Sequence, residues 1–275
     1  MMPVINTNVA AIKARGNFAR VQREMDQSIA RLSSGKRINS AHDDAAGLAI
    51  AGRLESQVRG TNMLIRNARD GQSLVDTMEG ALQEVSGILQ RMRELAVQAS
   101  SGIGTAADRG YLDTEITALF NEIDAIAKNT TFNETALFSA ASQHSFYTDI
   151  NISGTEIVVS ANVLTNNAML MSYEDVTIST VAHVQSAISA IDGGLSIIDT
   201  NRAKLGAISN RFDHVIDNLT NIVANTASAQ SRIQDADYAV ETTALTRATI
   251  LQQAATSMIA QANANKNSIL TLIQG

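Results

Sequence analysis

The residues in this chain best suited to chemistry stand together at His42, Asp43 and Asp44. An imidazole beside two carboxylates can ligate a metal ion or transfer protons. Either role needs further groups at a suitable spacing, and no second cluster of such residues accompanies this one. We therefore expect a structural role. Asp43 or Asp44 would cap a helix that begins near Ala45, because a carboxylate accepts hydrogen bonds from the free N–H groups of a first helical turn.

The motifs that mark common enzymes are absent from the sequence. There is no HExxH, no phosphate-binding GxxxxGK[ST] and no GxSxG. The absence of cysteine excludes disulfides, thiolate zinc sites and cysteine nucleophiles. The formal charge of -6 comes without a long basic block, so nothing predicts nucleic-acid binding. No membrane span or secretory signal is evident. We expect neither an enzyme nor a protein with a cofactor or metal.

The composition favours long helices packed closely side by side. Only 4% of the residues are aromatic, there is no Trp, and the one proline is Pro3. Beyond the extreme N-terminus, therefore, no proline ring interrupts helix propagation.

A heptad pattern runs from Gly47 to Ala96 in alternating steps of three and four. Its length of about seven heptads predicts one long coiled-coil helix. The serines and glycines of residues 100–104 predict a turn, after which a helix opens near Ala106. The same spacing then predicts a shorter helix that folds back along the first, with its seam at Leu112, Ile116, Leu119, Ile123 and Ile126.

Helical periodicity fades between about Asn129 and Val181, where Asn and Thr become frequent. Short β-branched runs predict a small β-hairpin region with a turn at Ser153 and Gly154. The runs lie at Thr148–Ile152, Glu156–Val163 and Val176–Ser179.

A second long heptad pattern extends from Ile188 to Ile233. The simplest partner for its seam is the seam of the first long helix, which would bring the two ends of the chain together. The predicted fold is mainly α: a long antiparallel coiled-coil helical bundle formed by the N- and C-terminal regions, with a small β-hairpin insert.

The terminal segments carry their own heptad patterns, and the C-terminal one carries very little charge. From Thr242 to Gly275 the only charged residues are Arg247 and Lys266. A helix without a charged face is suited to burial on several sides. Because one chain supplies only two such segments, residues 1–40 and 236–275 are expected to lack partners until other copies provide them. The predicted inter-subunit packing residues are Phe18, Val21, Met25, Leu32, Leu251, Ala255, Met258, Ile269 and Leu272.

Two stretches near the N-terminus, LSSGKRINSAHDDAAGLAIAGRL at Leu32–Leu54 and residues 67–100, resemble the N-terminal region of bacterial flagellins. LGAISNRFDHVIDNL, SRIQDADYAVET and ILQQAATSMIAQAN, between residues 205 and 263, look like the C-terminal region of that family. The resemblance implies an inner helical domain from 1–40 and 236–275, a helical bundle domain from 41–138 and 182–235, and a short variable region at 139–181.

The resemblance also implies a function: a structural subunit that self-assembles into the extracellular flagellar filament for motility. Such proteins are exported through the flagellar type III apparatus without a cleaved signal peptide. An export chaperone, the filament cap and the junction proteins are the implied partners. The alternatives are a hook-filament junction protein and a non-flagellar coiled-coil adaptor.

The segment Leu89–Leu95 resembles the patch by which flagellins engage Toll-like receptor 5. The residues at matching or neighbouring positions are Gln90, Arg91, Leu95, Gln98 and Glu115. A second interpretation assigns Arg91, Glu94 and Glu115 to contacts between subunits, and the two interpretations are compatible.

Overall fold

In a computed structural model of the chain, the structure describes residues 7–101, 104–138, 143–149, 156–160 and 173–274. Long helices dominate these residues, so the predicted mainly α fold is confirmed. The helices are α1 (Val9–Ser34), α2 (Ala45–Ala99), α3 (Ala106–Asn129), α4 (Tyr173–Val176), α5 (Val181–Gln234) and α6 (Tyr238–Gln274). The strands are β1 (Thr131–Phe132), β2 (Thr135–Ala136), β3 (Gln143–Tyr147) and β4 (Glu156–Ser160). None of the described helices is both long and apolar enough to span a bilayer.

The chain divides into two compact units. Unit 1 consists of Met1–Val58 and Ala224–Gly275, and unit 2 consists of Arg59–Val223. Both ends of the chain therefore belong to unit 1, while α2 and α5 each contribute residues to both units.

The heptad seam of α2 forms the core of unit 2. Its side chains are almost fully buried from Ala68 onward, which confirms this part of the predicted seam; they include Ala68, Val75, Met78, Leu82, Val85, Leu89, Met92 and Ala96. Thr61 is buried as well, but the predicted Leu64 is half-buried and Ile65 is buried in its place. In unit 1 the same helix departs from the prediction. Ile50 is 42% exposed, and Ala51 is buried instead. Gly47 is buried as predicted, so the buried face of α2 is displaced by one residue only from Ala51 onward.

Three polar contacts in unit 2 show that α5 runs antiparallel to α2, as predicted. Gln72 donates to Asp213 at 2.5 Å, Arg202 donates to Glu79 at 2.7 Å, and Arg93 donates to Asp192 at 2.7 Å. Residue numbers rise along one helix as they fall along the other. The α5 seam buries Ile191, Ile198, Leu205 and Phe212 in the same core.

The shorter helix α3 begins where the sequence predicts it, at Ala106. Thr105 and Asp108 form a capping box, in which each side chain accepts a hydrogen bond from the other residue's backbone N–H. Ile116 and Ile123 are buried in the unit 2 core, with Leu112, Leu119 and Ile126 packed beside them. The predicted seam of α3 is therefore confirmed.

Two antiparallel hairpins occupy the described part of the insert. The β1–β2 hairpin, which the sequence analysis missed, turns on Asn133 and Glu134, whose φ angles of 48° and 64° are typical of a two-residue type I′ turn. The predicted second hairpin exists, because β3 pairs with β4 over Gln143–Tyr147 and Glu156–Ser160.

The first strand of that hairpin was predicted at the wrong place. β3 ends at Tyr147, and Thr148 and Asp149 follow it outside the strand, while residues 150–155, with the predicted turn, lie outside the described residues. Phe146 of β3 packs edge-on against Phe212 of α5, with ring centroids 5.6 Å apart. An aromatic anchor on the helices therefore positions this strand, rather than the β-branched run after it.

The predicted strand at Val176–Ser179 is wrong. Val176 ends the short helix α4, and the backbone N–H of Ile178 donates to the Asp113 carboxylate on α3 at 2.8 Å. The Thr177 hydroxyl donates to the same oxygen at 2.8 Å. The Asp113 side chain therefore takes the place of a neighbouring strand as the hydrogen-bond partner of this backbone. The β-branched side chains of Val176 and Ile178 pack in the core instead, where both are fully buried.

Candidate assembly surface of the terminal helices

Helices α1 and α6 pair with each other within unit 1. The α1 face toward α6 buries Ala11, Val21 and Ser28, and the α6 face buries Glu241 and Ala248. Half-buried side chains continue both faces at heptad spacing: Ala14, Phe18, Met25 and Leu32 on α1, and Leu245, Gln252, Ala255, Ile259 and Ala262 on α6. The expectation that the terminal segments lack partners within the chain is therefore wrong: each helix is the other's partner.

Polar contacts cross between α1 and α6 along the length of the pair. Arg31 donates to Glu241 at 2.9 Å, and Gln252 donates to Gln22 at 2.6 Å. Near the start of α1, the Asn8 side chain donates to the carbonyl of Ala262 at 3.0 Å. The same Asn8 side chain accepts a hydrogen bond from the N–H of Ala11, so it also caps α1.

The segments that follow α1 and precede α6 are joined by their backbones. Arg37 N–H donates to the carbonyl of Gln234 at 2.6 Å, and Ala236 N–H donates to the carbonyl of Gly35 at 2.9 Å. Gly35 ends α1 in the left-handed region, with φ of 70°, where a glycine is favoured. The Tyr238 hydroxyl donates to the Leu32 carbonyl at 3.2 Å. Sequence periodicity gave no sign of these contacts, because they join residues at or just beyond the ends of the helices, where the heptad pattern stops.

Large apolar side chains lie exposed along the outward side of α6. We call Val240, Ile250, Leu251 and Met258 the outer stripe; they are 61%, 61%, 44% and 63% exposed. Thr242, Thr243, Thr246 and Arg247 line a shallow groove together with Ile250 and Leu251. Val9, Ile12 and Ile29 on α1 are also exposed, at 48%, 59% and 47%. The α1–α6 pair thus presents apolar surface that the chain itself leaves uncovered.

The structure separates the predicted packing residues into two groups. Phe18, Val21, Met25 and Leu32 lie on the α1 face that packs against α6, and Ala255 lies on the α6 face that packs against α1. Leu251 and Met258 lie in the outer stripe. Ile269 and Leu272 are within α6, but their side chains lie outside the described residues. The single seam predicted for α6 is therefore divided between two faces.

The cluster at His42, Asp43 and Asp44 organises the turn before α2. Asp44 accepts a hydrogen bond from the N–H of Gly47 at 2.8 Å, which confirms the predicted cap. Asp43 accepts hydrogen bonds from Asn39 and Ser40, and these bonds hold the pKa of its carboxyl below the usual range, the Ser40 backbone N–H contributing most. Across the part of the chain that the structure describes, no group of three potential metal-ligating residues comes together.

The predicted receptor residues lie in unit 2, on α2 and α3. Arg91 donates to Glu115 at 3.0 Å and to Glu94 at 3.1 Å, and the bond to Glu115 is the main cause of its raised pKa. Gln90, Gln98 and Glu115 are exposed, but Leu95 is only 1% exposed. The expectation for Leu95 needs correction, because its side chain belongs to the unit 2 core. Val97, at 49% exposure, is the apolar side chain on this surface.

Comparison with known proteins places the chain in a family. A family profile described as the bacterial flagellin N-terminal helical region matches residues 5–143, and one described as the bacterial flagellin C-terminal helical region matches residues 188–273. A flagellin of Halalkalibacterium halodurans is 41% identical over 283 residues, covering 98% of this chain and 100% of the relative. Flagellin B of Vibrio cholerae is 34% identical over 371 residues, covering 98% and 99%. That alignment is longer than this chain, so the Vibrio protein carries additional sequence.

Two solved structures are similar to this one. The crystal structure of Bacillus cereus flagellin aligns with a TM-score of 0.50 and 31% identity, covering 60% of this chain and 94% of that chain. A putative flagellar hook-associated protein from Vibrio parahaemolyticus aligns with a TM-score of 0.59, covering 70% and 100%, but at 17% identity it shows the fold alone. The two profiles and the nearly full-length relatives show that this chain belongs to the bacterial flagellin family.

Proposed function

We propose that this chain, as a structural subunit of the bacterial flagellar filament, binds other copies of itself through the outer stripe of α6. Flagellins build the extracellular filament on which motility depends, so the partner for this surface is a second copy. The observation that carries the proposal is a helix of 37 residues that keeps four large apolar side chains exposed while one face is already covered by α1.

The charge distribution on α6 supports a dry environment for this surface. Between Tyr238 and Asn265 the charged residues are Glu241, which is buried against α1, and Arg247. Full burial of a Leu or Met side chain contributes roughly 1.5–3 kcal/mol. The outer stripe therefore leaves a few kcal/mol of apolar burial unrealised in the isolated chain, which association with other copies would recover.

Carboxylates placed in the outer stripe test the proposal. Leu251→Asp or Met258→Asp would bury a charge against the neighbouring copy, and we expect the critical concentration for polymerisation to rise by at least about 100-fold. Met258→Leu, which keeps an apolar side chain at the same position, should polymerise normally. Sedimentation and negative-stain microscopy after salt-induced polymerisation measure the filament yield, and circular dichroism checks the helices. Filaments at wild-type yield from Met258→Asp would rule out this surface.

The length of the polymer separates filament subunits from the alternative functions. A junction protein assembles in few copies and a coiled-coil adaptor forms no polymer, whereas a filament subunit should form long fibres from purified chain alone.

We also propose that the chain has no catalytic activity, because flagellins are structural proteins and the sequence contains none of the common catalytic motifs.

The division into layers is also a proposal. We propose that 1–40 and 236–275 form the inner domain, that 41–138 and 182–235 form the bundle domain, and that 139–181 is the variable region. Limited proteolysis of the filament should cut first within 139–181.

We further propose that the chain leaves the cell unfolded through the flagellar type III apparatus with the help of an export chaperone, assembles with cap and junction proteins, and keeps its N-terminus. An intact mass equal to that of the whole chain would support uncleaved export.

For Toll-like receptor 5, we propose a contact made by the exposed residues Gln90, Arg91, Gln98 and Glu115. The ion pairs of Arg91 with Glu94 and Glu115 hold polar groups of α2 and α3 side by side. Arg91→Ala should reduce receptor activation by purified monomer without changing its helical content. Equal activation by the variant and the wild type would count against this contact.

A further inference from the structure

Helix α6 carries two apolar stripes on neighbouring faces. The inner one, which packs on α1, contains Leu245, Ala248, Ala255, Ile259 and Ala262. The outer stripe places Leu251 and Met258 one residue before Gln252 and Ile259. One residue corresponds to about 100° around a helix, so a rotation of that size would bring Leu251 and Met258 to the side that faces α1 and turn the inner stripe away from it. Val240, Leu251 and Met258 follow heptad-like spacing, as the inner stripe does.

Apolar burial alone gives little preference between the two faces. The inner face carries Leu245 and Ile259 besides three alanines. At the same spacing the outer face carries Val240, Leu251 and Met258, together with two alanines and Arg247. The hydrophobic contribution grows with the apolar area that is buried, and this area is similar for the two faces. Polar groups must therefore contribute to the present rotation of α6, which leaves the surface proposed to bind another copy uncovered.

Three polar contacts between the two helices lie on the inner face of α6, and a fourth, from the Tyr238 hydroxyl to the Leu32 carbonyl, lies at the start of the helix. Glu241 pairs with Arg31, Gln252 bonds to Gln22, and the Ala262 carbonyl accepts from Asn8. The Glu241 side chain is 9% exposed and that of Arg31 is 26% exposed. If α6 rotated, Glu241 would move away and leave a largely buried guanidinium without its counter-charge, which is strongly unfavourable.

We infer that the Arg31–Glu241 and Gln22–Gln252 contacts are a face selector, which fixes the rotation of α6 on α1 and keeps the outer stripe exposed. The use of that surface in assembly rests on the proposed function. The rotation itself is a property of the isolated chain and is measured separately.

The test replaces the face selector with apolar side chains and measures which stripe is accessible. Arg31→Met with Glu241→Leu removes both charges together, so that neither remains unpaired, and Gln22→Leu with Gln252→Leu removes the amides. The chain contains no cysteine, so one introduced at a chosen position is the only thiol. Met258→Cys reports on the outer stripe, and Ala255→Cys reports on the inner one.

With the face selector intact, the thiol at 258 should react with iodoacetamide at least about fivefold faster than the thiol at 255 in dilute monomer. Without it, the difference should disappear or reverse, while circular dichroism shows unchanged helix content. Unchanged relative rates at the two positions would overturn the inference. If the rates exchange but filaments still form at full yield, the face selector stands and the proposed role of the outer stripe fails.

Two further variants separate rotation from general destabilisation. The charge swap Arg31→Glu with Glu241→Arg restores an ion pair in the same place, so it should retain the wild-type order of thiol reactivity. Gln253→Leu adds an apolar side chain at an exposed α6 position outside both stripes, and should also leave that order unchanged. If the quadruple variant loses its helices, the Gln22→Leu and Gln252→Leu pair alone should still narrow the difference in rate, and failure to do so would overturn the inference.

Discussion

Asp43 shows how the residues best suited to chemistry in this chain serve its structure. Its carboxylate accepts hydrogen bonds from the N–H groups of Asn39 and Ser40 at 3.1 and 3.0 Å, and from the side chains of Ser40 and Gln27 at 3.2 Å each. The charged form is favoured by these donors, and this lowers the pKa. The residue ties the turn before α2 to Gln27 of α1.

The lowered pKa of Asp43 predicts a pH dependence of stability. A carboxyl whose pKa is lower in the folded state adds stability above its usual pKa and loses that contribution as the pH falls through the lowered value. Asp43→Asn should therefore be less stable than wild type at neutral pH, and the difference in stability should close as the pH falls below the usual pKa of an aspartate. Urea unfolding followed by circular dichroism at a series of pH values measures it. A gap that stays constant with pH would contradict the assignment.

At the scale of elements, Gly71 of α2 lets the β3–β4 hairpin pack onto the helices of unit 2. A Cβ atom at this position would lie 2.6 Å from Cζ of Phe212 and 3.2 Å from Cγ of Phe146. The two rings meet edge to face, and Phe212 is fully buried in the core, so it cannot move aside easily. Glycine has a low helix propensity, but its lack of a side chain leaves space for the two aromatic rings.

We predict that Gly71→Ala destabilises unit 2 by about 1–3 kcal/mol, because overpacking outweighs the gain in helix propensity. Gly80 is the matched control. It lies in the same helix, and a Cβ there would meet nothing within 4 Å. Gly80→Ala should instead stabilise the chain by roughly 0.5–1 kcal/mol. Urea unfolding measures the change in the free energy of unfolding for both variants, and we expect opposite signs. Stabilisation by Gly71→Ala would contradict the prediction, because it would mean that the two rings move aside.

At the scale of the whole molecule, the two units bury different kinds of side chain. Among the side chains that the structure describes, the buried apolar residues of the α1–α6 pair are Ala11, Val21 and Ala248, whereas unit 2 fully buries Met78, Leu82, Phe212 and many others. A pair of helices with few large buried side chains opens more readily than a core rich in them. The terminal helices are therefore the part of the chain with most stability to gain from assembly.

Hydrogen exchange should reveal this difference. In dilute monomer we expect the amides of α1 and α6 to exchange faster than those of α2 between residues 61 and 96, and to slow by at least about tenfold in the filament. Amides in the middle of α2 should change little, and so provide the internal control. Mass spectrometry of peptides from both states measures the effect. Terminal helices in dilute monomer that exchange as slowly as the core of unit 2 would contradict the expectation.

The sequence by itself determined the helices, the antiparallel pairing of α2 with α5, the cap at Asp44, the seam of α3 and the family. These features depend on heptad spacing and capping residues, which act over a few neighbouring positions and can be recognised from residue type alone. The β3–β4 hairpin was also predicted from a local pattern, the short β-branched runs, but these runs placed its first strand too far along the chain.

Only the tertiary structure decided which groups meet across the chain. The residue types at Val176–Ser179 predict a strand, but in the structure the backbone N–H of Ile178 donates to Asp113. Leu95 was expected on an accessible surface, but its side chain is buried in the core of unit 2. Apolar side chains lie on two faces of α6, and we infer that the choice of the face toward α1 depends on Arg31 and Gln22, more than 200 positions away in the sequence. Periodicity gives the spacing of side chains around a helix, but the direction in which a stripe points is set by its distant partners.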